Sequence, residues 1–135
     1  MYVFRRTGGA FALEATRTAS NGALGDRFGD DVAVSGDRLV ASAPGHGATG
    51  AAYVVERSGG AWSEVAVLGL PAGSSDDGFG SDVDVDGTTV AVGAQTGNDV
   101  GTVHVFVESA GVWTLEQRIQ PGGLTVFARF GSAVD

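Results

Sequence analysis

The run Asp82-Val83-Asp84-Val85-Asp86-Gly87 has the residue types that open a calcium-binding loop. In such a loop alternate carboxylates converge on a hard cation and a glycine makes the sharp turn. Counting on from Asp82 weakens that reading, because the ninth position is Val90 and the twelfth, which should supply a bidentate acid, is Gly93. One repeat earlier the same three positions hold Asp31, Ala33 and Ser35. A strand with aspartates on its polar face and valines on the other accounts for the same letters. Asp82, Asp84 and Asp86 are therefore the candidate metal ligands, with calcium the candidate cofactor and a plain strand the competing reading.

Other residues invite chemistry and meet similar objections. Trp62 and Trp113 could stack on sugar rings, yet a large aromatic recurring at one position also suits burial between packed sheets. His46 lies in the loop Pro44-Gly45-His46-Gly47 and His104 in a strand at the position of Tyr53. Neither has a nucleophile or carboxylate at a repeated position, so no hydrolytic triad is expected and no catalytic residue is assigned. Gly45-x-Gly47-x-x-Gly50 mimics a dinucleotide fingerprint, but no helix follows to receive a phosphate. The loops Pro44 to Thr49 and Gln95 to Val100, at equivalent points of two copies, are the expected ligand-facing surface.

The elements that must position these residues repeat with a period of 51. Phe28-Gly29 recurs as Phe79-Gly80 and as Phe130-Gly131, and Trp62 recurs as Trp113 with Phe11 one period before it. Asp31, Val32, Val34, Gly36, Ala43, Gly50, Val54, Ser58 and Gly60 also meet identical residues one period on. Within a copy every signal is β. Ser81 to Val85 alternates polar and apolar, Asp86-Gly87 supplies a two-residue turn, and Thr88 to Ala94 is rich in threonine and valine. Gly101 to Val107 alternates again, Ser109-Ala110-Gly111 turns the chain, and a fourth strand runs from Val112 to about Ile119. Four antiparallel strands in about 51 residues cannot hide their faces alone and need like neighbours on each side.

Composition bounds the rest. The chain has 135 residues, 23 of them glycine, which calls for many tight turns, and 43 % hydrophobic residues, which excludes a disordered acidic tail. With no cysteine there is neither a disulfide nor a thiolate site. Sixteen acids against eight bases leave a net charge of −8, a field that repels phosphate backbones and argues against nucleic acid. No apolar run approaches the ~18 residues of a spanning helix, and because Met1-Tyr2-Val3-Phe4-Arg5-Arg6 offers no basic start followed by an apolar stretch, no signal peptide is expected in these residues.

Phe79-Gly80, a hairpin, then Val90-Ala91-Val92-Gly93-Ala94 resembles the FG-GAP repeat of integrin alpha-subunit propellers and of many bacterial and archaeal surface proteins. The first copy carries Ala43-Pro44 but has Ser42 in place of the glycine, and the second carries Gly93-Ala94 followed by Gln95. Gly50 to Arg57 with Trp62 is similar to the third and fourth strands of the short prokaryotic version. The resemblance implies an all-β fold of four-stranded antiparallel propeller blades. The expected division is a partial blade at 1–27, complete repeats at 28–78 and 79–129, and the start of a further repeat at 130–135. About 2.6 repeats fall short of the ~4 to 8 blades of a closed ring, so the expectation is a fragment of a longer repeat protein, the alternative being a ring assembled from several chains. Neighbouring blades, or self-association through open faces, would complete the packing. Phe28, Gly29, Phe79, Gly80, Phe130, Gly131, Trp62 and Trp113 are then structural, filling gaps between blades. The resemblance implies a non-catalytic binding or adhesion module, extracellular or at the cell surface, that recognises a protein or glycan through its inter-strand loops without inserting into a membrane. An accessory or catalytic propeller part of a secreted hydrolase or lyase is the second reading.

Overall fold

Alternation and turn glycines produce ten strands, seen in a computed structural model that describes residues 1–71, 78–96, 100–123 and 125–135. In chain order they are β1 (Tyr2–Thr7), β2 (Ala10–Thr16), β3 (Val32–Ser35), β4 (Arg38–Ala43), β5 (Ala51–Ser58), β6 (Ala61–Leu68), β7 (Phe79–Asp86), β8 (Thr89–Ala94), β9 (Thr102–Ser109) and β10 (Val112–Ile119). β3 to β6 form one antiparallel meander and β7 to β10 a second, while β1 and β2 make a two-stranded hairpin. The architecture is all-β, in four-stranded antiparallel blades. Among the described residues no helix is long and apolar enough to cross a membrane.

The copies share backbone detail as well as letters. Gly36 and Gly87 take φ of 60° and 54° in the turns after β3 and β7, a left-handed conformation that glycine adopts without a Cβ clash. Each hairpin of a third and fourth strand skips one residue of register. The skipped residues are Glu14, Val65 and Glu116, one period apart. Such a bulge turns its residue off the regular pleat and re-aims the side chain.

Blades stack face to face, and that stacking is the core. Val40 of β4, Ala52 and Val54 of β5 and Leu68 of β6 meet Phe79, Val83 and Val85 of β7, Val90, Val92 and Ala94 of β8, and Phe106 of β9. The other face of the first blade, with Leu39, Ala41, Val55 and Trp62, packs on Val3 and Ala15 of the hairpin. Because both faces of β4 are covered, Leu39 to Ala43 is buried throughout without alternation, Ser42 included. Among the described residues nothing covers the hairpin's outer side, where Tyr2, Phe4, Phe11 and Leu13 are exposed. Phe11, expected to be buried like Trp62, is 73 % exposed for that reason, against 5 % for Trp62.

Candidate functional site

At one end of the stacked blades the loops that follow β4 and β8 and those that precede β3 and β7 border a polar cleft of ≈ 330 Å³. Its walls are Arg27, Asp30, Pro44 and Gly45 of the first blade and Gly78, Ser81, Gln95 and Thr96 of the second, with Gly25 beside them. The two sets are the same four repeat positions, so the cleft is a product of the packing of these two blades. The Pro44 to Thr49 loop and the start of the Gln95 to Val100 loop, the expected ligand-facing segments, face each other here. Residues 97–99 of the second loop lie outside the described residues. Arg27 Nη2 donates to Asp30 Oδ2 at 2.8 Å, and both side chains stay largely in solvent at the rim.

The wall beneath Arg27 is fastened by residues remote in sequence. His46 Nδ1 lies 2.7 Å from Asp26 Oδ2, and Ala23 N–H donates to the same oxygen at 2.8 Å. With Nδ1–H donating, Nε2 is the acceptor that faces Asn21 Nδ2 at 3.4 Å, and Tyr53 Oη donates to Asn21 Oδ1 at 2.8 Å. The His46 contact first, then the Ala23 amide, holds the Asp26 carboxyl below its usual range against the opposing effect of burial. Burial lifts the Tyr53 hydroxyl, helped by the charges of Asp26 and Glu64, so it remains a donor to Asn21. An Asp–His pair can polarise a hydroxyl when the far imidazole nitrogen is open to one. Here that nitrogen meets an amide, and the arrangement ties two loops together. No sequence signal pointed to Asp26, because it is twenty residues from His46 and both lie in loops.

The Phe-Gly positions set the distance between blades. Phe79 is fully buried and meets His104 edge-on at 5.4 Å, and Phe28 meets Tyr53 in the same way at 5.2 Å, so the histidine takes the tyrosine's place in a repeated aromatic pair. A Cβ on Gly80 would stand 2.9 Å from the Ala51 carbonyl oxygen, and one on Gly131 2.3 Å from that of Thr102. Phe130, half-buried, forms a parallel bridge to Gly101. The model of the FG-GAP repeat matches residues 11–55 and 62–106, two segments offset by the same 51 residues and together more than half of the chain. The chain belongs to the FG-GAP repeat family. Each matched segment begins in the last strand of one spatial unit and ends in the third strand of the next, so the FG-GAP frame straddles the blades. No curated protein matches the chain significantly.

Within these FG-GAP blades the three aspartates stay apart. β7 spreads Asp82, Asp84 and Asp86 along one strand, about 13 Å from first to last at ~3.3 Å per residue. Among the described residues no three His, Asp or Glu side chains stand close enough to hold a metal ion. The residues present therefore do not fit a calcium loop. Nor is their face simply solvated, as a plain edge strand would have it. Asp82 Oδ2 accepts the Val134 N–H at 2.7 Å, because the segment after Phe130 docks there. Burial lifts the Asp82 carboxyl above its usual range, with Asp31 and Asp84 adding to the rise and the Val134 amide opposing it.

The two tryptophans occupy unlike surroundings. Trp62 is buried under the hairpin, its indole N–H donating to Glu14 Oε2 at 3.0 Å, while Arg57 donates to Glu14 Oε1 at 2.7 and 3.0 Å. That indole bond and the Arg57 contacts keep the Glu14 carboxyl low, against desolvation. At the next junction the bulge residue is Val65, which offers no acceptor, and a cavity of ≈ 210 Å³ lies beside Trp113. Arg38 covers the indole at 5.0 Å from its centroid while bonding Glu56 and the Gly87 carbonyl. With a guanidinium on its face, Trp113 is not an open sugar platform. This ion-pair layer of Arg38, Arg57, Glu14, Glu56 and Glu108 at the opposite end from the cleft was not legible in the sequence.

Proposed function

We propose that this chain is a non-catalytic binding module of a cell-surface or secreted protein, engaging a protein or glycan through the loops that border the inter-blade cleft. FG-GAP repeats are in general binding and adhesion modules. The observation that carries the reading is the cleft: a polar concavity walled by equivalent positions of two rigid blades, where variable side chains are displayed without disturbing the core. The Asp26–His46 pair supports it by fixing the loop wall and by having its second nitrogen engaged with Asn21. Fold alone does not dictate function, so the test is direct.

The chain is screened against immobilised polysaccharides and extracellular proteins, and whatever binds is incubated with it and assayed for new reducing ends or peptide fragments. Saturable binding without product, weakened by substitutions at the cleft and not by substitutions in the β5–β6 turn, is expected. Product release would replace this reading with the hydrolase or lyase alternative.

A further inference from the structure

We infer that the cleft between the two complete blades is a subsite for one ring of a neutral glycan, with Arg27 as its principal donor. This rests on the binding-module reading and narrows it to a site and a ligand class. The first observation is backbone strain at a repeated position. The residue before each Phe-Gly has positive φ in all three copies: 57° at Arg27, 77° at Gly78 and 55° at Arg129. Glycine takes that conformation freely, whereas an L side chain there is disfavoured. Two of three copies nevertheless carry arginine, and the strained backbone at Arg27 places its side chain on the cleft wall. Strained non-glycine residues that persist in an otherwise regular scaffold are a pointer to recognition.

The second observation is the chemistry of the walls. Arg27 and Asp30 form a neutral pair that offers several N–H donors and a carboxylate acceptor at the rim. Across the gap stand the Gln95 amide and the hydroxyls of Ser81 and Thr96, each able to donate or accept. Among the described residues no aromatic side chain lines the cleft and Pro44 is the one apolar side chain of any size, so an extended peptide with apolar anchors finds little purchase. A polyanion is disfavoured by the net charge of −8 and by a local charge that Asp30 already cancels. A polyhydroxyl ring, which pairs with donors and acceptors in equal measure, fits these walls. Arg129 repeats the Arg27 position two copies on, with Gly78 between them, so the donor is a feature of some copies and not of all.

The test is titration calorimetry of the whole chain with xylohexaose, mannohexaose and cellohexaose, with oligogalacturonate and gelatin as contrasting probes. It is run on the parent chain and on Arg27→Gly and Gln95→Ala. Arg27→Gly removes the donor and the strain together, so it should melt within a few degrees of the parent while losing affinity. A neutral hexaose that binds the parent and binds both variants at least tenfold more weakly supports the inference. Hexaose binding unchanged in Arg27→Gly overturns the site. Binding of gelatin or oligogalacturonate alone overturns the ligand class and leaves the binding module standing. Binding of none of the five overturns the neutral-glycan subsite, while the binding module is judged by the wider screen of polysaccharides and extracellular proteins.

Discussion

Asp31 accepts a hydrogen bond from the backbone N–H of Val83 at 2.8 Å, joining the residue that leads into β3 of one blade to β7, the first strand of the next. One period later Asp82 does the same for Val134 at 2.7 Å. The repeated aspartate is thus a tie between blades. A hydrogen bond to a charged group contributes about 1.5–3 kcal/mol. Asp31→Ala should lower stability by that order, read as a smaller urea midpoint with an unchanged slope, and Asp31→Asn, which keeps an acceptor, should lower it less.

The two perturbed aspartates give pH dependences of opposite sign. Asp82 is lifted above the ordinary value of 3.8, so the folded state favours its protonated form. Its contribution is fully present below the unfolded value and is lost as pH rises through the folded one. Asp82→Asn, which does not ionise, should be more stable than the parent at neutral pH and equal to it in acid.

Asp26 is held below 3.8, chiefly by His46. Its contribution is present above the unfolded value and is lost as pH falls through the depressed folded value. Asp26→Asn should flatten the acid limb of a stability profile below about pH 4, measured by urea midpoints at a series of pH values.

Trp62 and Phe11 stand at the same repeat position in opposite surroundings, so truncating them should give opposite results. Trp62→Ala removes a buried ring and should cost about 3–5 kcal/mol. Phe11→Ser touches an exposed ring and should change stability by less than about 0.5 kcal/mol. The exposed Tyr2, Phe4, Phe11 and Leu13 form an apolar face of the kind that blades cover, and it should drive concentration-dependent self-association of the chain. Analytical ultracentrifugation should show that association weakened in Phe11→Ser.

Gly80 and Gly59 separate close approach from backbone strain. Both have positive φ, 87° and 58°, but a Cβ on Gly80 meets the Ala51 carbonyl and one on Gly59 meets nothing within 4 Å. Gly59→Ala should cost about 1 kcal/mol, from the left-handed conformation alone. Gly80→Ala should cost about 2 kcal/mol or more, because the blades must also move apart. Differential scanning calorimetry of the two variants reads the difference.

Calcium at millimolar concentration should leave the melting temperature unchanged, because a ligand stabilises only where it binds the folded state. A rise that Asp84→Asn abolishes would show that the carboxylates of β7 converge on an ion after all.

Strand identity, the turns and the 51-residue register were legible because they depend on neighbours in the chain. The alternation from Ser81 to Val85, the Asp86-Gly87 turn and the repeated Phe-Gly each carry their reason locally. The cleft was half legible. Its two loops could be named from their equivalent places, but the strained Arg27 could not, since only the fold requires a left-handed residue before Phe28. The Asp26–His46 pair and the Glu14 bond to Trp62 were hidden, as they join residues 20 and 48 apart with no shared pattern.

By itself the amino-acid order determined an all-β repeat protein of the FG-GAP kind, because pleat alternation and glycine turns are properties of a few consecutive residues. Only the tertiary structure decided which faces are covered. Phe11 and Trp62 are equivalent by position, yet one lies open and the other is buried, since burial depends on whether another blade packs there. The same packing bends Asp82 from a metal candidate into a tie between blades, and it brings two sets of loop residues into one cleft.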